Sequence, residues 1–393
     1  MGNLTITDIR CRRLGWSESP TTLQASLVSP TKKYSTHGHD SRTWWGPSPL
    51  VVVEIEIDDG IIGIGSCGGF TALPAAIIED HFAPLIIGMS AYDRELIWDK
   101  LYRSSVRFGR VGVTMAAIAG IDIALHDIVG KALGVPVYQL LGGAIRDHIP
   151  VYVSRLYAHS NIDVLQAEAA QWLGEGFTMM KQRFGYGPAD GIPGMKKNEE
   201  LIRAVREVVG DDVMLAADAY MGWDVPYAVE MSRRLEKYNL SWIEEPLLGG
   251  DIDGYEELCR RSGVAISHGE HLYNKSEFME VIKRRAAAYL QPDLNRVGGF
   301  TEARKIAALA ETAGIPLIPH SNEMHNIHLA ASSVAIPMME YFPDELPDTG
   351  NELFWRVFDG EIVAKDGFID IPHKPGLGVS LNMSVINEIE LRG

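Results

Sequence analysis

Met214-Leu215-Ala216-Ala217-Asp218, Leu240-Ser241-Trp242-Ile243-Glu244-Glu245-Pro246 and Ile266-Ser267-His268-Gly269-Glu270 are the stretches that decide the fold. Each is a short apolar run that closes on an acidic residue. The acids recur at equal intervals, 244 − 218 = 26 and 270 − 244 = 26. Between the runs, residues 224–238 and 253–262 carry helical periodicity with one charged face. A strand and a helix per interval is the period of a βα repeat, which carries the three acids to one edge of a parallel sheet.

The same rhythm extends in both directions. Strand candidates lie at 149–155, 177–183, 213–218, 240–244, 264–268, 287–291, 315–319 and 336–340, with helical stretches at 198–209, 275–285 and 301–313 as well. Eight strands alternating with helices predict an α/β fold, a (β/α)8 barrel of modified TIM type, although alternation alone leaves an open sheet possible. Upstream the pattern is mixed. Leu4–Arg13 and Leu50–Ile57 alternate like strands, and Asp58-Asp59-Gly60 turns the second into Ile61–Ser66. Helical patterns follow at about 72–84, 93–105 and 113–133, the last stopped by Gly134 with Pro136 beyond. Residues 15–49 have no period and read as a long functional loop. The expected division is an α+β capping domain over 1–135, the barrel over 136–355, and a segment over 356–393 that returns to the cap.

Composition narrows the function. A formal charge of −16 argues against nucleic acid and against an anionic membrane surface. Cys11, Cys67 and Cys259 are scattered, odd in number and without metal-ligand spacing, which suits a reducing, cytoplasmic setting without disulfides. No signal sequence and no bilayer-length apolar run is apparent.

The chemistry lies at the strand ends. Any one of Asp218, Glu244 and Glu270 reads as well as a cap on the helix that follows it. Three in register would repel unless a cation sat between them, and an all-oxygen set suits Mg2+. Glu245 should point to the opposite side of its strand and support Glu244. The next strands supply Asp293, in Gln291-Pro292-Asp293, and His320, in Ile318-Pro319-His320. Asp293 can accept one ring N–H of His320 and leave the other nitrogen as a base tuned near neutrality. Lys181 and Arg183 are two apart and face the same way, suited to a substrate carboxylate. Lys181 is a second base if burial and its cationic neighbour lower its pKa.

These residues resemble the mandelate racemase-like branch of the enolase superfamily over nearly the whole chain. The resemblance rests on Ala217-Asp218-Ala219, Trp242-Ile243-Glu244-Glu245-Pro246, Gly269-Glu270, Pro292-Asp293, Pro319-His320 and Glu340. It implies Asp218, Glu244 and Glu270 as Mg2+ ligands, Asp293 with His320 as the base dyad, and Glu340 as a hydrogen-bonding partner of the developing enolate. Crowding by other anions would keep Glu340 protonated for that task. Where the branch carries Lys-x-Lys this chain has Lys181-Gln182-Arg183, which weakens a two-base racemase. With Gly269-Glu270-His271, that departure resembles acid-sugar dehydratases of the rhamnonate or lyxonate type.

The resemblance therefore implies dehydration of an aldonate or aldarate to a 2-keto-3-deoxy acid. The alternatives are an epimerase or racemase of a 2-hydroxy acid on the same scaffold, and a non-catalytic sugar-acid binding protein. Substrate contacts are expected from Arg183, His271 and Tyr220, and from His37, His39, Arg42, Trp44 and Trp45 of the N-terminal loop. His325 and His328 read as satisfied helix-face residues. Relatives that assemble as dimers or octamers imply a homo-oligomer.

Overall fold

The computed structural model describes residues 4–15, 25–33, 50–68, 72–343 and 352–391. Strands Ile6–Leu14, Leu50–Ile57 and Ile62–Cys67 form an antiparallel sheet in that order, with Asp58-Asp59-Gly60 at the hairpin. Helix Val113–Leu133 packs on it and ends where Gly134 turns left-handed at φ 68°. One expectation fails here. This helix is long and apolar enough to cross a bilayer, yet 94% of its apolar window is buried inside the protein. Its apolar surface faces the cap sheet on one side and the barrel on the other.

Helix and sheet come together at glycines. A Cβ on Gly65 would sit 2.1 Å from the Gly120 carbonyl oxygen, and one on Gly63 would sit 2.3 Å from that of Ala124. Backbone cannot yield cheaply there. Gly65→Ala should cost about 3 kcal/mol as an overpacking change. Gly174→Ala, at an open position on the last turn of helix Ile162–Gly174, should be neutral or stabilising. Urea midpoints measured side by side check the pair; equal midpoints would contradict the contact.

The barrel strands are His148–Ser154, Met179–Arg183, Met214–Asp218, Ile243–Glu244, Ile266–His268, Tyr289–Leu290 and Met339–Tyr341. They form one parallel ladder running from Tyr289–Leu290 back through His148–Ser154 to Met339–Tyr341. The predicted run 315–319 joins through a bridge of Leu317 to Leu290, closed by Ile318 N to Leu290 O at 2.8 Å and Leu290 N to Pro316 O at 3.0 Å, and through Leu317 N to Ala335 O at 2.9 Å on the other side. Pro316 and Pro319 have no N–H to extend that ladder, and Pro337 delays the last strand to Met339 rather than 336.

Asn161, Asp224, Asp251 and Asn274 cap the helices at Ile162–Gly174, Val225–Leu235, Ile252–Arg261 and Lys275–Arg284. The acids that end the third and fourth strands are therefore not needed as caps.

The C-terminal segment packs against both domains. Phe368–Asp370 pairs with His148–Pro150, and Leu391 N donates to Arg13 O at 2.7 Å. Leu377 O accepts from Nε2 of His328, whose Nδ1 takes the Tyr138 N–H. Burial pushes this imidazole down to about 3. The unfolded chain takes up that proton below pH 6.5 and the folded chain does not, so stability falls as pH drops from about 6.5 toward 3, by about 1.4 kcal/mol per unit. Urea titrations of His328→Gln should show a slope shallower by one proton between pH 6 and 4. An unchanged slope would place the charge elsewhere.

Candidate active site

Period-two alternation decides which side chains meet. Tyr152, Ala216, Trp242 and Ile318 fill the barrel interior, with Met179, Met214 and Tyr289 packed against them. One step further along the same faces stand Ser154, Lys181, Arg183, Asp218 and Glu244, all buried. An apolar plug thus underlies a layer of charge. Lys181, buried on its strand, contacts Glu244 and lies 2.7 Å from Glu340 Oε1 and 3.5 Å from Asp218 Oδ2. Arg183 holds Asp218 at 2.5 Å and Ser154 Oγ at 2.9 Å, its guanidinium over the Tyr157 ring. Gln291 Nε2 and Trp242 Nε1 donate to Glu244 Oε2 at 2.6 and 3.2 Å.

Beyond the strands the chain turns sharply. Leu156 (φ 53°), Tyr220 (39°), Met221 (56°), Glu245 (33°) and Ser321 (69°) are left-handed, and all of them follow a barrel strand at this edge. Such residues cost about 1–3 kcal/mol each and gather where function requires them. The turn at Glu245 swings its carboxylate away from Glu244. It accepts from Gly269 N at 3.3 Å and His271 N at 3.1 Å, and pairs with His271 Nδ1 at 2.6 Å. Tyr220 N caps Asp218 Oδ1 at 2.8 Å, and its ring meets that of His271 edge-on.

His320 Nδ1 lies 3.0 Å from Asp293 Oδ2 and its Nε2 lies 3.4 Å from Glu270 Oε1, so the expected dyad is formed and turned toward the acids. Arg296 joins the dyad to Glu270, with NH1 2.8 Å from Glu270 and Nε 3.1 Å from Asp293. Burial raises the Asp293 carboxyl, but Arg296 and His320 hold it down at about 2. Burial lowers the His320 imidazole, but Glu270 and Glu340 outweigh it and lift it to about 9, above the near-neutral value expected; a cation held by Glu270 would offset that lift and free Nε2 to act as a base.

Two expectations are corrected. Burial lowers the Lys181 pKa as anticipated, but Glu244, Glu340 and Asp218 together drive it well above its ordinary value. Paired with these carboxylates Lys181 is held as an ammonium, a hold that a cation taken up by Asp218 and Glu244 would loosen. Glu340 is not protonated: burial raises it, yet Lys181, His320 and Arg183 hold it far below the carboxylate range. Its Oε2 accepts Ser321 N at 2.9 Å, so the donor beside the site is the Lys181 ammonium.

Asp218 and Glu244 are register partners, and Glu270 follows Ser267, the partner of Glu244 on the other side. Buried oxygen donors on three adjacent strands match the chemistry of a hard divalent cation. Among the described residues, however, the group whose ligating atoms all lie within 4.8 Å is Glu245, Glu270 and His271. The oxygens of Asp218, Glu244 and Glu270 spread wider because Lys181 stands beside the first two and Arg296 holds the third.

His37, His39, Arg42, Trp44 and Trp45 lie outside the described residues. The part of that loop that is described docks on the barrel, with Val28 N donating to Phe184 O at 2.7 Å. His328 is satisfied as expected, whereas Nε2 of buried His325 has no hydrogen-bond partner among the described residues and lies 3.7 Å from Glu323 Oε2. Sequence reasoning missed Arg296, Asn295 and Glu323. Only their closeness to Asp293 and His320 in the chain pointed to them.

Residues 25–142 match the family described as the mandelate racemase / muconate lactonizing enzyme N-terminal domain, and residues 164–385 the family described as enolase C-terminal domain-like. An L-rhamnonate dehydratase from Saccharopolyspora erythraea is 34% identical over 372 residues, 93% of this chain and 91% of the relative. An arabinonate dehydratase from Saccharolobus solfataricus is 33% identical over 355 residues, 88% of this chain and 92% of the relative. The solved rhamnonate dehydratase from Gibberella zeae complexed with Mg is 28% identical, with a TM-score of 0.88 over 98% of this chain and 96% of that one. The capping domain, the curled parallel sheet and both family matches place this chain in the enolase superfamily, among the proteins related to mandelate racemase and muconate lactonizing enzyme.

Proposed function

We propose that this protein is a Mg2+-dependent acid-sugar dehydratase, which takes the α-proton from an aldonate or aldarate and expels the 3-hydroxyl to give a 2-keto-3-deoxy acid. The observation that carries the reading is the dyad of buried Asp293 and half-buried His320, with His320 Nδ1 tied to Asp293 and Nε2 turned toward Glu270 and Glu340. The relatives named as rhamnonate and arabinonate dehydratases support the substrate class. Asp218, Glu244 and Glu270 would hold the ion, which when bound supplies a Lewis acid for the charge of the enediolate.

His320 removes the α-proton, with Asp293 fixing its tautomer and stabilising the imidazolium. The same imidazolium then returns a proton to the departing 3-hydroxyl, which leaves as water, and the resulting enol ketonises by losing its O–H proton and gaining one at C3. Lys181 and Arg183 offer the cationic wall that a substrate carboxylate needs, and the Lys181 ammonium beside Glu340 donates toward developing negative charge. His271 and Tyr220 stand at the same edge and would meet the polyol. An epimerase needs a competent base on each face of the α-carbon. Lys181, held in ion pairs with Asp218, Glu244 and Glu340, is a poorer second base than the His320 imidazole, and the dyad argues against a protein that only binds.

The test is a screen of aldonic and aldaric acids for keto-acid formation with Mg2+ and with chelator. Turnover of at least one acid with Mg2+, lost on chelation, is expected. Inversion of the α-carbon without keto acid would replace this reading by the epimerase.

A further inference from the structure

Asp293 and His320 leave different strands, so no single stretch of backbone sets their alignment. Behind them stands Glu323, 7% exposed, at the entry to helix Met324–Ser332. Its Oε1 accepts from Asn295 Nδ2 and its Oε2 from Asn326 Nδ2, both at 3.2 Å. On one side, Asn295 N donates to Asp293 Oδ1 at 2.8 Å, and Asn295 Oδ1 accepts from Ser66 Oγ of the cap at 2.9 Å. On the other, Asn326 Nδ2 also reaches His320 O at 2.9 Å and Ser321 Oγ at 3.2 Å, across the left-handed turn.

We propose that Glu323 is a positioning residue, a brace that aligns the Asp293–His320 dyad by gripping one asparagine on each side of it and ties that alignment to the cap through Ser66. The inference rests on the base role of His320. A carboxyl kept only for packing would not bury two opposed hydrogen bonds, each leading to one member of the dyad.

Glu323→Gln tests it at constant volume. Glutamine has one acceptor oxygen, so its NH2 must face an asparagine NH2 and one arm breaks. Asn326→Ser breaks the other arm and serves if the first variant fails to fold. The readouts are kcat and KM on the acid sugar found by screening, and the downfield Nδ1–H proton resonance of His320, assigned by its loss in His320→Asn. Each variant should lose about 10²-fold in kcat, as expected of a slightly misplaced catalytic group. KM should stay within about threefold, the sign of an interaction felt mainly in the transition state. The resonance should move upfield. The double variant should be no worse than the singles beyond about threefold, because both arms serve one brace. A kcat within about twofold of wild type, an unmoved resonance, or additive losses would overturn the brace. If the wild-type protein turns over no acid sugar, the functional reading falls and the resonance alone decides this one.

Discussion

His320→Asn should lower acid-sugar turnover by about 10³-fold or more, within the range a positioned general base contributes and with the loss of its acid role added. The ring is replaced by an amide that can still donate to Asp293 but cannot carry a proton. Because Asp293 and Arg296 remain paired at 3.1 Å, the neighbouring Glu270 keeps its contact and the fold should persist. Two measurements check this. Exchange of the substrate α-proton in deuterated water should disappear, while Mg2+ binding followed by calorimetry should stay within about threefold, since His320 is not among the proposed ligands. Undiminished exchange would move the base to another residue.

The second large effect is on stability. Asp127, fully buried on helix Val113–Leu133, accepts Ile64 N at 2.9 Å and Leu377 N at 2.8 Å and pairs with Lys131 at 2.6 Å. One carboxylate thus ties the cap sheet, the cap helix and the C-terminal segment. Asp127→Ala strands two buried N–H groups, each at about 1–3 kcal/mol, and removes the ion pair of Lys131, which keeps its bond to Ile62 O at 2.8 Å. A loss of about 5 kcal/mol in urea unfolding is expected, and proteolysis should free the segment after residue 352 first. Asp127→Asn, which keeps one acceptor, should cost about half as much. A loss below about 1 kcal/mol would show that the segment is held elsewhere.

The sequence made the barrel legible because its strands are short apolar runs at equal spacing and its acids mark their ends. The dyad was legible for the same reason: Asp293 and His320 follow prolines that end their strands. What could not be read was charge state. Lys181 is surrounded by three carboxylates drawn from three different strands, and no local pattern announces that their sum outweighs burial. Glu340 is ionised for the same reason, seen from the other partner. Arg296 and Glu323 were missed because each acts across strands, and neither has a period or a motif. The seventh strand was overdrawn because hydrophobicity at 315–319 looks like a strand, while two prolines remove the N–H groups a ladder needs.

That proline-bounded run has a consequence for motion. Residues 315–319 are fastened to their neighbours by very few backbone hydrogen bonds, with Ile318 N to Leu290 O at 2.8 Å the principal one on one side and Leu317 N to Ala335 O at 2.9 Å on the other. Amide protons at Leu317 and Ile318 should trade with deuterium sooner than those of Ala216 or Ala217 in the fully laddered third strand. The side of the ring that presents His320 is thus tied less by backbone than by side chains, with Glu340 Oε2 accepting Ser321 N at 2.9 Å across it.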